Sequence, residues 1–177
     1  MTDDPPQDPP GEIALVEAAQ SGDAHAFRRL YDRYARMVHG LLLASVPRAE
    51  VDDLMQDVFL QAYRSLGSLR DGSAFGAWLA RIARNRAHDY HRTSVPTEEL
   101  KEDVPAPLSQ EAEAMAALRA VRSLPPAYRE TLTLRLVEGM TGPEIAERTG
   151  LTPDSVRVNL HRGMKLLREK LKGEGRS

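Results

Sequence analysis

Basic side chains near the C-terminus recur at a spacing that places them on one side of a helix. At about 100° per residue, one narrow arc is aliphatic or small and carries Val156, Leu160, Gly163, Leu167 and Leu171. The residues that point away from this arc, or lie on its flank, are Arg157, Val158, His161, Arg162 and Lys165. Arginine can hold a guanine edge by two hydrogen bonds, worth about 1–3 kcal/mol of discrimination, and Lys165 is better placed for phosphate. The pattern predicts a helix suited to the major groove of DNA, although a plain helical hairpin with a polar outer face would share it.

A short helix that precedes the basic helix in the chain must hold it in place. Thr141 can cap a helix that runs to Arg148, and Gly150 can end it in the left-handed conformation that glycine adopts cheaply. Thr152 and Pro153 then begin the helix described above. A glycine turn between two apolar helices is typical of a helix-turn-helix.

A second one-sided basic helix is predicted over residues 77–92. Its polar residues fall within about 100° of arc, and they are Arg81, Arg84, Asn85, His88 and Arg92. Its apolar side holds Phe75, Leu79, Ile82, Ala83 and Tyr90. Arginines bind phosphates, and an asparagine can donate to and accept from a base edge at once. A solvated basic face with no ligand is the alternative.

The preceding helix has an acidic exposed face. Its apolar stripe runs from Val51 to Leu66, and Asp53, Gln56 and Asp57 point away from it. Acids at the start of a helix are favoured by its macrodipole, which accounts for Asp53 but not for Asp57 one turn later.

These helices are predicted to form an all-α protein of two small domains. Residues 1–11, with four prolines and three aspartates, are expected to be a disordered tail. Residues 12–93 form the first domain, 94–108 a flexible acidic linker with three prolines, and 109–172 the second domain. We expect Pro47 to end one helix region and Ser73 to cap the helix that carries Arg81. Tyr31, Tyr34 and Trp78 are expected in the core.

Composition limits the possible functions. The net charge is only −2, but residues 64–92 and 141–177 are locally basic and residues 95–118 are acidic. Two basic segments on either side of an acidic connector predict two contacts with a phosphate backbone. The absence of cysteine excludes disulfides, and no apolar run approaches the roughly 18 residues of a membrane span. Because the first residues also lack a signal-peptide pattern, a cytoplasmic protein without membrane insertion is expected.

The second half resembles a known family. The pattern consists of Leu124-Pro125-Pro126, Arg129, Glu138-Gly139, Glu144-Ile145-Ala146, Gly150, Val156-Arg157 and Leu160-His161-Arg162. It is similar to the C-terminal domain of the extracytoplasmic-function sigma factors, group 4 of the sigma-70 family of bacterial RNA polymerase. The resemblance implies that Arg157, Val158, His161, Arg162 and Lys165 read the minus-thirty-five promoter element. Pro153, Asn159 and Met164 depart from the family pattern, so the preferred DNA sequence is not implied.

The first half resembles the N-terminal domain of the same family. The matching residues are Asp53-Leu54, Gln56-Asp57, Phe59, Phe75, Trp78-Leu79, Ile82-Ala83-Arg84-Asn85 and Asp89. The resemblance implies that the helix of Arg81, Arg84, Asn85, His88, Asp89 and Arg92 reads the minus-ten element. It also implies that the loop from Leu69 to Ala74, with Arg70 and Ser73, captures a base turned out of the duplex. Asp53, Gln56 and Asp57 would then dock on the coiled-coil clamp of the polymerase's largest subunit, a basic surface if charges are complementary.

The resemblances together predict a sigma factor that binds core RNA polymerase and promoter DNA, performs no catalysis and needs no cofactor. An anti-sigma protein is expected by analogy with the family. Two alternatives stay open, a sigma-like decoy that titrates an anti-sigma factor and a stand-alone helix-turn-helix regulator. His88 and His91 are poor metal ligands because they diverge around the helix and no third ligand has suitable spacing, so neither a metal site nor a helical metal hydrolase is expected.

Overall fold

A computed structural model of the chain describes residues 11–93 and 110–174. Within these ranges the secondary structure is helical, which confirms the predicted all-α fold class. The N-terminal helices are α1 (Glu12–Gln20), α2 (Ala24–Leu43), α3 (Arg48–Ser65) and α4 (Phe75–Thr93). The C-terminal helices are α5 (Gln110–Arg122), α6 (Pro126–Leu136), α7 (Gly142–Thr149) and α8 (Pro153–Glu174). The predicted linker lies outside the described residues, as does the predicted tail apart from Gly11, so the division into two domains stays a prediction.

The N-terminal helices enclose a common apolar core. Leu30 and Tyr34 of α2 are fully buried, with Val58 of α3 and Phe75 of α4 against the same core. Burial raises the pKa of the Tyr34 hydroxyl, which also donates a hydrogen bond to Glu12. The prediction of Tyr31 as a core residue is wrong, since the residue is 38% exposed.

Two local predictions in this half are also wrong. Helix α2 already ends at Leu43, and Pro47 is the residue that precedes the first turn of α3, where its fixed φ suits a helix start. Ser73 does not cap α4: the capping residue here is Asp71, at the start of a 3₁₀ turn, and its carboxylate accepts hydrogen bonds from the backbone N–H and the hydroxyl of Ser73 at 2.9 and 2.6 Å. Ser73 itself lies in a short 3₁₀ turn over Gly72–Ala74.

The C-terminal helices pack around α8. Leu132 of α6 and Leu167 of α8 are buried in a small cluster with residues of α5. The approach of α6 to α8 is close, because a Cβ on Gly163 would lie 3.0 Å from Leu132 Cδ1. Leu171 was expected on the buried arc, but it is 41% exposed because it extends past the packed part of α8.

The two sets of helices share a core. Leu134, Met140 and Ile145 of the C-terminal half are buried in the same cluster as the N-terminal core. Helix α6 packs on α2, and α7 packs on α4 and α2. In the described ranges, no helix is long and apolar enough to cross a membrane.

Candidate nucleic-acid interface

Helix α8 presents the basic face that the sequence predicted. Val156 is buried, and Leu160 is half-buried on the same side. The five residues expected to read DNA are all exposed, namely Arg157, Val158, His161, Arg162 and Lys165. The structure therefore brings these side chains together on one surface open to solvent, over about two and a half helical turns.

The position of α8 is fixed by the turn that precedes it. Thr141 and Glu144 form a reciprocal capping box at the start of α7, in which the Thr141 backbone N–H donates to the Glu144 carboxylate at 2.7 Å. These hydrogen bonds lower the pKa of Glu144. Gly150 ends α7 with φ of 74°, so the predicted left-handed turn is confirmed. Ile145 of α7 and Val156 of α8 are both buried on the inner side of the angle between the two helices.

Two contacts that the sequence analysis did not predict affect the α8 face. The Asp154 carboxylate pairs with the Arg157 guanidinium at 3.0 Å, with both side chains largely exposed. Asn159 is half-buried, and its amide nitrogen lies 3.5 Å from the Thr131 hydroxyl of α6. The i, i+3 spacing of Asp154 and Arg157 is a sequence signal that could have found the first contact.

Helix α4 presents most of its predicted polar face. Arg81, Asn85, His88 and Arg92 are exposed, and Arg92 pairs with Asp89 at 3.1 Å. Arg84 differs from its neighbours. It is half-buried and forms an ion pair with Glu130 of α6 at 3.0 Å. The polar face of α4 is therefore exposed except at Arg84, whose side chain is paired with Glu130 of the C-terminal half.

The loop before α4 is short and largely exposed. Arg70 and Ser73 are both exposed. Hydrogen bonds from Ser73 lower the pKa of Asp71, so its carboxylate is charged near neutral pH. A charged Asp71 fixes the turn and orients the Ser73 hydroxyl toward itself.

Helix α3 carries the predicted acidic surface and extends it with apolar residues. Asp53, Gln56 and Asp57 are exposed, as expected. Leu60 and Tyr63 follow at helical spacing on the same side and are 47% and 50% exposed. A shallow groove of about 230 Å³ runs beside them, lined by Asp57, Leu60, Gln61, Arg64, Ser65 and Arg86. An acidic surface that continues into large exposed apolar side chains is typical of a protein-binding face rather than a solvated one.

Comparisons with known proteins match both halves of the chain. The family profile described as "Sigma-70 region 2" matches residues 30–95, and "Sigma-70, region 4" matches residues 114–167. The chain is 34% identical to the ECF RNA polymerase sigma-E factor of Haemophilus influenzae, over 89% of this chain and 94% of that protein. The chain belongs to the extracytoplasmic-function sigma factors. All of the predicted site residues fall within the two matched segments.

Further relatives agree with this assignment. The chain is 34% identical to the ECF RNA polymerase sigma factor BldN of Streptomyces coelicolor, over 93% of this chain and 67% of that protein. It is also similar to the solved structure of CnrH in complex with the cytosolic domain of CnrY, with a TM-score of 0.65 and 26% identity. That similarity covers 92% of this sigma factor and 97% of the CnrH chain.

Proposed function

We propose that this sigma factor docks on core RNA polymerase through α3 and holds the two promoter elements on α4 and α8. The observation that carries the proposal is the presence of two exposed, arginine-bearing helix faces, one in each family segment. Membership of the sigma family makes it a promoter-recognising factor of RNA polymerase. It contributes recognition and duplex opening, while the polymerase supplies the catalysis, and it acts in the cytoplasm where both partners lie.

The minus-thirty-five element is assigned to α8. Arg157 and Arg162 are exposed on this face, with His161 between them. Arginines in the major groove read guanine, and the first turn of a recognition helix lies nearest to the bases. Lys165, one turn further along, is assigned to phosphate.

The minus-ten element is assigned to α4 and the loop before it. Arg81, Asn85 and His88 supply an exposed surface of donors along α4, with Asp89 and Arg92 at its end. Arg70 and Ser73 line the loop that would receive an extruded base. Extrusion costs a few kcal/mol of stacking, and pocket contacts must recover this energy.

The polymerase contact is assigned to α3, on the clamp of the largest subunit. Asp53, Gln56 and Asp57 supply charge, and Leu60 and Tyr63 supply apolar area beside it. Charged residues at the rim of an interface mainly steer association, and large apolar residues at its centre carry most of the affinity.

In vitro transcription with core polymerase over a randomised promoter library tests the assignment. Arg157→Ala with Arg162→Ala is expected to lower promoter-specific transcription at least tenfold and to leave core binding intact. Asp53→Ala with Asp57→Ala is expected to weaken core binding instead. Arg28→Ala with Arg29→Ala, which removes two exposed arginines from α2, is the matched control and should change neither.

Each alternative gives a different result in this assay. A decoy would start no RNA at any site and yet bind its inhibitor. A stand-alone regulator would bind duplex DNA specifically without polymerase and start no transcription. Loss of core binding in the Arg157/Arg162 variant would contradict the assignment of core binding to α3 and of DNA binding to α8.

We also propose a protein partner of the anti-sigma class. CnrH, the structural relative, is solved with the cytosolic domain of CnrY bound to it. Leu136 and Val137 at the end of α6 are each 52% exposed, an apolar pair that a partner could cover. An affinity-tagged chain is expected to capture such a partner, and Leu136→Ser with Val137→Ser to lose it. The captured protein, once purified, must abolish transcription in the assay above.

A further inference from the structure

Helix α1 lies along the loop before α4, residues 69–74, and outside the segment that the region 2 profile matches. That profile begins at residue 30, whereas α1 covers Glu12–Gln20. The helix is fixed on the N-terminal core by three buried residues, namely Leu15, Val16 and Ala19. The Tyr34 hydroxyl of α2 also donates a hydrogen bond to Glu12. Because α1 is held in place, the contacts that it makes with the loop can fix the loop as well.

Gln20, the last residue of α1, holds the start of the loop. Its side-chain amide nitrogen donates to the Leu66 carbonyl at 3.0 Å and to the Leu69 carbonyl at 2.8 Å. Leu66 begins the short 3₁₀ turn that follows α3, and Leu69 is the extended residue through which the chain leaves that turn. Carbonyls at the end of a helical turn have no partner within it, and Gln20 supplies one from α1. The direction in which the chain continues toward Arg70 is thus set by Gln20.

The far end of the loop rests on the first turns of α1. A Cβ on Gly72 would lie 3.4 Å from Ile13 Cα and 3.5 Å from Val16 Cβ. These are van der Waals distances, so the 3₁₀ turn over Gly72–Ala74 lies directly against the helix. The loop therefore contacts α1 at both of its ends, with Arg70 exposed between them.

Ile13 places an apolar side chain beside the same loop. It is 50% exposed, and its Cγ2 would lie 3.5 Å from a Cβ on Gly72. A base turned out of a duplex loses its stacking neighbours, and proteins that capture such a base replace them with aromatic or apolar side chains. The exposed residues Arg70 and Ser73 of the loop offer polar groups for the base edge. Ile13 offers the apolar surface for the base itself.

We propose that α1 is part of the site that captures a base of the minus-ten element, an inference that rests on the proposed function. Gln20 is a positioning residue, which holds the loop in the geometry that receives the base and does not itself touch the DNA. Ile13 packs against a face of the captured base. A loop released from Gln20 would adopt the receiving geometry for only part of the time, and the apparent affinity would fall by that fraction.

Binding of labelled single strands to the holoenzyme, followed by fluorescence anisotropy, tests the inference. The strands carry the minus-ten sequence selected from the promoter library, with one abasic site placed at each position in turn. The captured base is the one whose removal weakens binding most. The quantity compared between variants is the ratio of the affinities for the intact strand and for the strand that lacks this base. Since both strands carry the same phosphates, the ratio does not respond to a change in general electrostatic attraction.

Gln20→Ala is expected to lower this ratio about tenfold, because two hydrogen bonds to the loop are lost. Gln20→Glu keeps the shape of the side chain but removes both donors, and it should lower the ratio at least as far. Glu17→Ala truncates an exposed side chain one turn earlier in α1 and is the control, with the ratio of the unmodified chain. A general loss of stability would weaken both strands together and leave the ratio unchanged. An unchanged ratio in both Gln20 variants would overturn the role of Gln20.

Ile13 is tested in the same assay. Ile13→Ala is expected to lower the ratio about three- to tenfold through the loss of apolar contact, and Ile13→Leu, which keeps the apolar volume, to preserve it. Equal ratios in Ile13→Ala and the unmodified chain would exclude Ile13 from the site.

The unmodified chain separates this inference from the proposed function. If no abasic position weakens its binding, the loop captures no base and that part of the proposed function fails. If the unmodified chain discriminates and the Gln20 and Ile13 variants discriminate equally well, base capture stands and the role of α1 is refuted.

Discussion

Both Nε and Nη2 of Arg84 lie 3.0 Å from the same carboxylate oxygen of Glu130. The pair joins α4, the helix assigned to the minus-ten element, to α6 of the other half. Arg84 and Glu130 are 37% and 16% exposed, so the pair is partly shielded from solvent. One arginine of the α4 face proposed to bind DNA is thus paired with a carboxylate of the other half.

Removal of the Glu130 charge should release Arg84. In Glu130→Gln, we expect the free chain to bind single-stranded DNA that carries its minus-ten element about two- to fivefold more tightly, since a partly exposed pair is worth at most about 1 kcal/mol. Fluorescence anisotropy of a labelled oligonucleotide measures the change. Glu17→Gln, which alters an exposed acid on α1, is the control. Equal affinity in Glu130→Gln and the control would show that the pair does not restrain Arg84.

The capping box of α7 should determine the stability of the helix-turn-helix. Thr141→Ala removes the hydroxyl that accepts from the Glu144 backbone N–H, and we expect the free energy of unfolding to fall by about 1 kcal/mol. Thr141→Ser keeps a capping hydroxyl and should recover most of the loss. Urea denaturation followed by circular dichroism distinguishes the variants. If alanine and serine destabilise equally, the cap is not the source of the effect.

Two separate constraints should oppose a side chain at Gly150: its positive φ and the nearby Cβ of Ala77. Alanine there would have to adopt φ of 74°, at a cost of about 1–2 kcal/mol, and its Cβ would lie 2.5 Å from the Ala77 Cβ in α4. Gly150→Ala is therefore expected to cost more than the backbone strain alone. Ala77→Gly removes the opposing Cβ. In a double-mutant cycle, Ala77→Gly should therefore restore the stability that Gly150→Ala loses through the Cβ–Cβ clash, and only the loss due to backbone strain should remain. Additive effects in the cycle would mean that α7 and α4 do not touch in solution.

The sequence predicted the helices and their exposed faces well because those features are local. The arcs of α4 and α8 follow from the helical repeat, and the turn at Gly150 follows from the conformation that only glycine adopts cheaply. The errors have equally local causes. Asp71 and Ser73 are both good caps two residues apart, and Pro47 suits the start of a helix as well as its end.

The contact between the two halves could not be read from the sequence in the same way. The pairing of Arg84 with Glu130 joins residues 46 positions apart, and no periodicity reports it. A signal was nevertheless present at Gly40, because a glycine inside a strongly periodic helix often marks a close approach. Leu60 and Tyr63 could also have been found, since they continue the Asp53–Gln56 face at steps of three and four residues.

The contact between the N-terminal and C-terminal halves should weaken as the pH rises. The hydrogen bond to Glu138 raises the pKa of His39 above its ordinary value of 6.5, and the negative charges of Glu138 and Asp52 add to this rise, while burial and the charge of Arg48 oppose it. The imidazole therefore binds its proton more tightly while the two halves are in contact. Its contribution to this contact is fully present below about pH 6.5 and is lost as the pH rises through the raised pKa.

Ala24→Cys and Lys170→Cys, two exposed positions in a chain without cysteine, can carry a donor and an acceptor dye. Energy transfer between these dyes should accordingly fall between pH 6 and a pH above the raised pKa of His39. His39→Gln is expected to abolish the pH dependence, and His25→Gln, an exposed histidine at the start of α2, to retain it. A pH dependence that persists in His39→Gln would assign the titration to another group and show that His39 does not control the contact between the two halves.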